Sequence, residues 1–120
     1  MKYEDISNLD INKRVAMRMF CGFKEIRPST SGGDSIYVDS GLSEFYDFYD
    51  GEFDYCNNPS DIMPIAIKYG ISSVYMGDYW STHGLNEELG NDEDWASESC
   101  NLYRAIAICF LKMMDAKNEQ

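Results

Sequence analysis

The sequence has a single histidine, His83, only three prolines, and four cysteines (Cys21, Cys56, Cys100 and Cys109) with no two at C-x-x-C spacing. Structural zinc sites draw on clustered Cys and His ligands, so no metal is expected, and nothing else in the chain calls for a cofactor. In a reducing compartment the thiols are expected free, with Cys109 and Cys21 serving as small buried apolar groups. Long apolar runs are also missing. The longest, "AIAICFL" from Ala105 to Leu111, falls far short of the about 20 residues that a membrane-spanning helix needs. The opening "MKYEDISNLD" lacks the basic and apolar regions of a secretory signal, which sets the expectation of a cytoplasmic protein.

Catalytic patterns are equally scarce. His83 has no serine or cysteine partner at motif spacing. The pair Gly32-Gly33 is followed by neither Lys-Ser/Thr nor a helix, so it reads as a turn and not as a phosphate loop. Asp47, Asp50 and Asp54 miss the spacing of a calcium loop. The carboxylates are too plentiful to single out an acid and a base. No catalytic residue is assigned, and an enzyme is not expected.

What the chain does have is charge of one sign, unevenly spread. Ten basic residues stand against 21 acidic ones, a net charge of −11, which argues against direct binding to nucleic acid or to an anionic membrane. From Gly41 to Asn58 there are five carboxylates (Glu44, Asp47, Asp50, Glu52, Asp54), and from Gly84 to Cys100 six more (Glu87, Glu88, Asp92, Glu93, Asp94, Glu98). Neither segment contains a Lys or Arg, so together they hold the whole excess and the remaining chain is neutral.

With 120 residues and a 44% apolar share, the chain suits one α/β domain over 1–120, with acidic insertions at about 41–56 and 84–98. "SNLDINKRVAMRMFCG" reads as a first helix, capped by Ser7, with Ile11, Val15 and Met19 on one stripe and Gly22 at its end. "FKEIRPS" and "SIYVDS" form a hairpin around "TSGGD", with Ile36 and Val38 on one face. The acidic, aromatic "GLSEFYDFYDGEFDY" suits an extended edge or a loop packed by its rings.

"FDYCNNPSD" gathers a thiol, two amides, a proline and carboxylates, and reads as a structural corner. Asn58 caps a helix that starts at Pro59. Asp61 sits favourably in the first turn, and Gly70 ends the helix after Ile62, Ile65, Ala66 and Ile67. Pro64 is expected to bend it. Cys56 lies among carboxylates, which raise a thiol pKa instead of activating it. "ISSVYM" and "YWSTH" form a second hairpin across Gly77-Asp78. Ser97 or Ser99 is expected to cap a last, largely buried helix through about Ala116, with Leu102, Ile106, Phe110 and Met113 on its stripe. Met113 and Met114 are the methionines expected to add to a sticky surface. The fold class is therefore α+β: a small antiparallel sheet of two hairpins packed with about three helices, an α-β-α sandwich.

"FDYCNNPSDIMPI", "SNLDINKRVA", "GDYW" and "LYRAIAICFLKM" resemble the NinX family of phage and prophage proteins, related to the so-called phage ABA sandwich domain. The resemblance spans most of the chain. It implies a small α/β sandwich encoded by a bacteriophage and made in the bacterial cytoplasm, with no catalytic residues to transfer. Two departures stand out: Met63 occupies a place where the family often has Trp, and the stretch from Gly41 to Glu52 looks like an addition. An added segment is a common carrier of individual function.

The leading expectation is a non-catalytic phage accessory protein that binds a basic surface of a host protein, of the nucleic-acid-mimic or counter-defence type. The candidate contacts are Glu44, Tyr46, Asp47, Tyr49, Asp50, Glu52, Glu87, Glu88, Asp92, Glu93, Asp94 and Trp95. Their carboxylates would occupy arginine and lysine sites and their rings would act as anchors. Cys56, Asn57, Asn58, Pro59 and Asp61 form the structural element. The alternative is a small-ligand binder, such as a sponge for a nucleotide signal, for which Lys13, Arg14, Arg18, Lys24, Arg27 and Arg104 are the available cations. A homodimer is plausible from sheet edges and exposed aromatic residues.

Overall fold

A computed structural model describes residues 2–20, 25–39, 51–84 and 97–118. After a short 3-10 turn at Tyr3–Asp5, helix α1 spans Asn8–Met19 and strands β1, β2 and β3 span Glu25–Pro28, Ile36–Asp39 and Gly51–Phe53. Helix α2 covers Pro59–Tyr69, followed by β4 (Ile71–Tyr75), β5 (Trp80–Gly84), β6 (Ser97–Ser99) and helix α3 (Leu102–Asn118). The two expected hairpins form, but in separate sheets. Each gains a third antiparallel strand, giving the orders β1-β2-β3 and β4-β5-β6. The third strands are the downstream ends of the two acidic stretches. Gly51 pairs with Val38, and Ser97 pairs with Thr82. The class is α+β, as the periodicities imply.

Local chemistry fixes the ends of the helices. Ser7 Oγ accepts from the Asp10 amide at 3.1 Å, satisfying an orphan donor of α1. Asn58 Oδ1 accepts from the Ser60 amide at 3.0 Å, Pro59 opens α2, and the helix runs on through Pro64. Gly70 ends α2 in the left-handed conformation at φ 68°, where a Cβ would be strained. The cap of α3 differs from expectation. Ser97 and Ser99 belong to β6, and Asn101 Oδ1 instead accepts from the amides of Tyr103 and Arg104 at 2.9 and 3.2 Å. A three-residue strand pairing with β5 outcompetes the earlier serine caps. Gly22 and Cys21 lie outside the described residues.

Helix α3 is the centre of the core. Ala105 through Leu111 and Met113 are all buried, and the helix packs against the β4-β5-β6 sheet on one side and against α1 and α2 elsewhere. Fully burying a side chain such as Ile108 or Phe110 contributes about 1.5–3 kcal/mol, so this near-continuous apolar stretch is a principal source of stability. Ile11, Val15 and Ala16 of α1, Ile36 and Val38 of β2, and Ile62, Ile65 and Ala66 of α2 belong to the same core. Two expectations fail here. Ile67 is 79% exposed, because it sits one position past the buried Ile65-Ala66 edge of α2. Met113 is buried, and the exposed methionines are Met17, Met63 and Met76.

The amino-terminal turn is tied to α3 at three places. Tyr3 donates its hydroxyl proton to Asp115, which also takes Arg18 at 2.9 Å, and Lys112 Nζ reaches Glu4 at 2.6 Å. At the start of α3, the Arg104 guanidinium donates to the carbonyls of Ile6 (2.7 Å), Glu4 (3.1 Å) and Tyr3 (3.4 Å), and to Asn8 Oδ1.

Candidate functional site

The residues "CNNP" lie where α1, the turn before β2, the start of α2 and the start of α3 converge. Asn12, with no solvent exposure, organises the junction. Its Nδ2 donates to the Asp34 carbonyl at 2.7 Å and to Asp54 Oδ1 at 2.9 Å, while its Oδ1 accepts from the Cys56 amide at 3.0 Å. One side chain thereby pins three segments. A buried amide is tolerated because its hydrogen-bonding capacity is met.

Asn57 works on the rim of the same junction. Its Nδ2 lies 3.1 Å from Asp34 Oδ2 and from both carboxylate oxygens of Asp54. Asn8 Nδ2 also donates to Asp34 Oδ2 at 3.1 Å, and Asn101 Nδ2 donates to the Cys56 carbonyl at 2.8 Å. Asp61 does more than face the helix dipole: its Oδ2 accepts from the Asp54 amide at 2.9 Å and closes the loop ahead of α2. Three carboxylates (Asp34, Asp54, Asp61) and four asparagines (Asn8, Asn12, Asn57, Asn101) thus form a hydrogen-bonded lattice.

That lattice disarms Cys56. The side chain is buried, and burial pushes its thiol up to about 12; Arg104 opposes the shift, and Asp54 and Asp34 add to it. A thiol so rarely ionised at neutral pH is a poor nucleophile. Cys109, inside α3, is likewise pushed up to about 12 by burial. The sequence reading named the carboxylates as the cause for Cys56; desolvation is the larger one.

His83 does have a serine partner, contrary to expectation. Ser81 Oγ and His83 Nε2 are 3.0 Å apart on the exposed face of β5, because residues two apart on a strand share a face. Among the described residues no third side chain is hydrogen-bonded to the pair, and a serine next to a histidine is by itself only part of a nucleophilic arrangement. No group of three or more Cys, His, Asp or Glu among the described residues is arranged to hold a metal ion.

Of the proposed contact residues, Glu52 stands on β3 with its carboxylate held by the hydroxyls of Ser29 and Ser31. Glu44, Tyr46, Asp47, Tyr49, Asp50, Glu87, Glu88, Asp92, Glu93, Asp94 and Trp95 lie outside the described residues. The cations considered for a phosphate ligand are largely engaged. Arg104 clamps the amino-terminal turn, Arg18 pairs with Asp115, and Arg27 pairs with Glu25 and lies 4.6 Å over the Tyr37 ring. Lys13 and Arg14 line a shallow hollow of about 260 Å³ with Asp10 and Met17, on the far side of α1 from its buried stripe. Lys24 lies outside the described residues.

Sequence reasoning missed Asn12, Asp34 and Asn101 as parts of the junction. Asn12 had left a trace, since it interrupts the apolar stripe between Ile11 and Val15. Asp34 and Asn101 had left none, because their role depends on which segments meet. No helix of the described residues is long and apolar enough to cross a membrane.

Much of the junction comes from the segments of sequence that carry the family likeness, Asn8 and Asn12 from the first helix and Asp54 to Asp61 from the corner, while Asp34 and Asn101 lie outside them. No curated protein and no solved structure matches the chain. The family model described as Bacteriophage P22, NinX matches residues 2–114, and the chain belongs to that phage family.

Proposed function

We propose that this phage protein is a non-catalytic accessory factor that binds a host protein through its two acidic, aromatic-rich segments, about 41–56 and 84–98. Inhibition of a host defence protein by occupying a nucleic-acid site is the leading form of that activity. The observation that carries the reading is the division of charge. The two segments hold the entire excess of eleven carboxylates, and the chain outside them is neutral. In the chain order, residues 40–50 connect the antiparallel neighbours β2 and β3, and residues 85–96 connect β5 and β6. Carboxylates concentrated in this way repel one another, and a basic partner relieves that repulsion. The buried, weakly ionised Cys56 supports the non-catalytic part of the reading.

The test is an affinity capture from host lysate, comparing the native chain with a variant carrying Glu87→Gln, Glu88→Gln, Asp92→Asn, Glu93→Gln and Asp94→Asn. A host protein retained by the native chain, lost with the variant, and displaced by added salt is the expected result. Identical captures from both forms would remove the second segment from the proposal.

A further inference from the structure

Among the described residues the two sheets leave four strand edges, and the sequence treats them differently. Edge strand β1 carries Glu25, Arg27 and Pro28, β3 carries Glu52, and β6 carries Glu98. Charges and proline are the usual devices that keep a free edge from pairing with another chain. Strand β4 reads "ISSVY" and has none of them. In a chain of net charge −11, one sheet edge is left without a charged side chain.

Among the described residues the outer side of that strand has no backbone partner. Met76 donates its amide to the Tyr79 carbonyl at 2.8 Å, and Val74 pairs with Ser81 and Ser72 with His83 in the same register. Hydrogen-bonded pairs alternate along an antiparallel ladder, so these three are the bonded ones. The amides and carbonyls of Ile71, Ser73 and Tyr75 therefore point away from β5. Among the described residues no backbone hydrogen bond closes them on that side.

Exposed apolar residues of the described part gather at the same place. Six large apolar residues are exposed among those described, and four of them, Ile67, Val74, Tyr75 and Met76, fall within ten positions around β4, the last three at 58%, 58% and 53%. Single exposed apolar residues are ordinary, but a cluster beside an open strand edge is the pattern of an association surface.

We infer that β4 is an interface between two copies of this chain, which pair antiparallel edge to edge across a twofold axis. Two features select a second copy over another occupant. The strand is complementary to itself: centring the axis on Ser73 sets Ser73 against its own counterpart and Ile71 against Tyr75, matching the outward-facing groups of both chains. It also lies at the edge of its sheet opposite β6, to which the acidic segment 85–96 returns, so two strongly negative chains meet along their uncharged strands. A six-stranded sheet results, with the exposed Val74, Tyr75 and Met76 flanking the seam. The short strand makes this a modest, concentration-dependent dimer instead of an obligate one.

Sedimentation equilibrium of the full chain across the micromolar range is the test, run beside Val74→Lys and Ser73→Pro with circular dichroism on each. The native chain is expected to pass from the 13.8 kDa monomer to twice that mass as concentration rises. Val74→Lys places a charge on the edge, and Ser73→Pro removes an outward amide. Each should keep the native spectrum and raise the dissociation constant by about tenfold or more. If the proline variant unfolds, Val74→Lys alone decides. A native chain that stays monomeric throughout, or a dimer that a folded Val74→Lys leaves intact, overturns the inference.

Discussion

Asn12 Oδ1 accepts the backbone proton of Cys56 at 3.0 Å, joining the first helix to the corner before the second across 44 positions of sequence. The same side chain donates to the Asp34 carbonyl and to Asp54, so its removal strands several partners at once. Asn12→Ala is expected to cost about 3 kcal/mol, since each buried group left without a partner costs about 1–3 kcal/mol. Asn12→Asp keeps the shape and the acceptor but sets a carboxylate against Asp54. Its deficit should shrink as pH is lowered and the carboxylates take up protons. Urea unfolding of both variants at neutral and mildly acidic pH checks the pair.

Arg104 makes a second long-range tie, and here the geometry of the fork matters. It reaches three carbonyls of the amino-terminal turn together with Asn8 Oδ1, a set that a single ammonium cannot span. Arg104→Lys is therefore expected to lose about 1–2 kcal/mol despite keeping the charge. Hydrogen exchange should localise the loss. The Ile6 amide, bonded to Tyr3 at 3.3 Å, should exchange faster while the β4-β5 ladder is unchanged.

These two ties show where sequence reading reaches and where it stops. Ser7, Asn58, Pro59 and Gly70 mark helix ends through local chemistry, and each stands in that role in the structure. The alternation Ile36-Tyr37-Val38-Asp39 fixes an inward and an outward face with no knowledge of the rest. Long-range pairing is another matter. The assignment of β3 and β6 to separate sheets, the capture of Ser97 and Ser99 by a strand, and the convergence of Asn8, Asp34, Asn57 and Asn101 all depend on contacts between distant segments, which leave no periodicity. Ile67 shows a smaller limit: in a short helix rich in isoleucine, composition does not say which one faces out. The Cys56 corner was legible as structure because its cap is local; the partners that bury its thiol were not.

Burial makes the fold sensitive to alkali. Cys56 and Cys109 are each pushed from an ordinary 9.0 up to about 12 by burial, and Tyr3 from 10.0 to about 12 by burial and by its bond to Asp115. Tyr55 is raised further, again by burial first. A group whose folded pKa is raised contributes stability that is complete below its unfolded pKa and is lost as pH rises toward the folded one. Stability should hold up to about pH 8 and fall between about pH 9 and 12, as the unfolded chain gives up protons that the folded chain retains. Thermal unfolding across that range measures the slope. Cys109→Ala should make it shallower near pH 9 by removing one of the linked groups.

Gly84 of β5 lies directly against Met113 of α3. A Cβ built there would overlap Met113 Sδ and lie 3.1 Å from its Cγ and Cε. The glycine is absent from the positive-φ positions, so space and not backbone conformation is what excludes a side chain. Gly84→Ala is expected to cost about 1–3 kcal/mol, as overpacking forces Met113 off its place. Met113→Ala alone leaves a cavity and costs about 2–5 kcal/mol. The double variant should be more stable than the sum of the two losses implies, because the new methyl enters part of the space that the shortened residue vacates. A double-mutant cycle from urea unfolding gives the coupling, expected at about 1 kcal/mol or more. Simple additivity would mean that α3 shifts as a body to admit the methyl, and the close approach at Gly84 would then not be what sets the distance between helix and sheet.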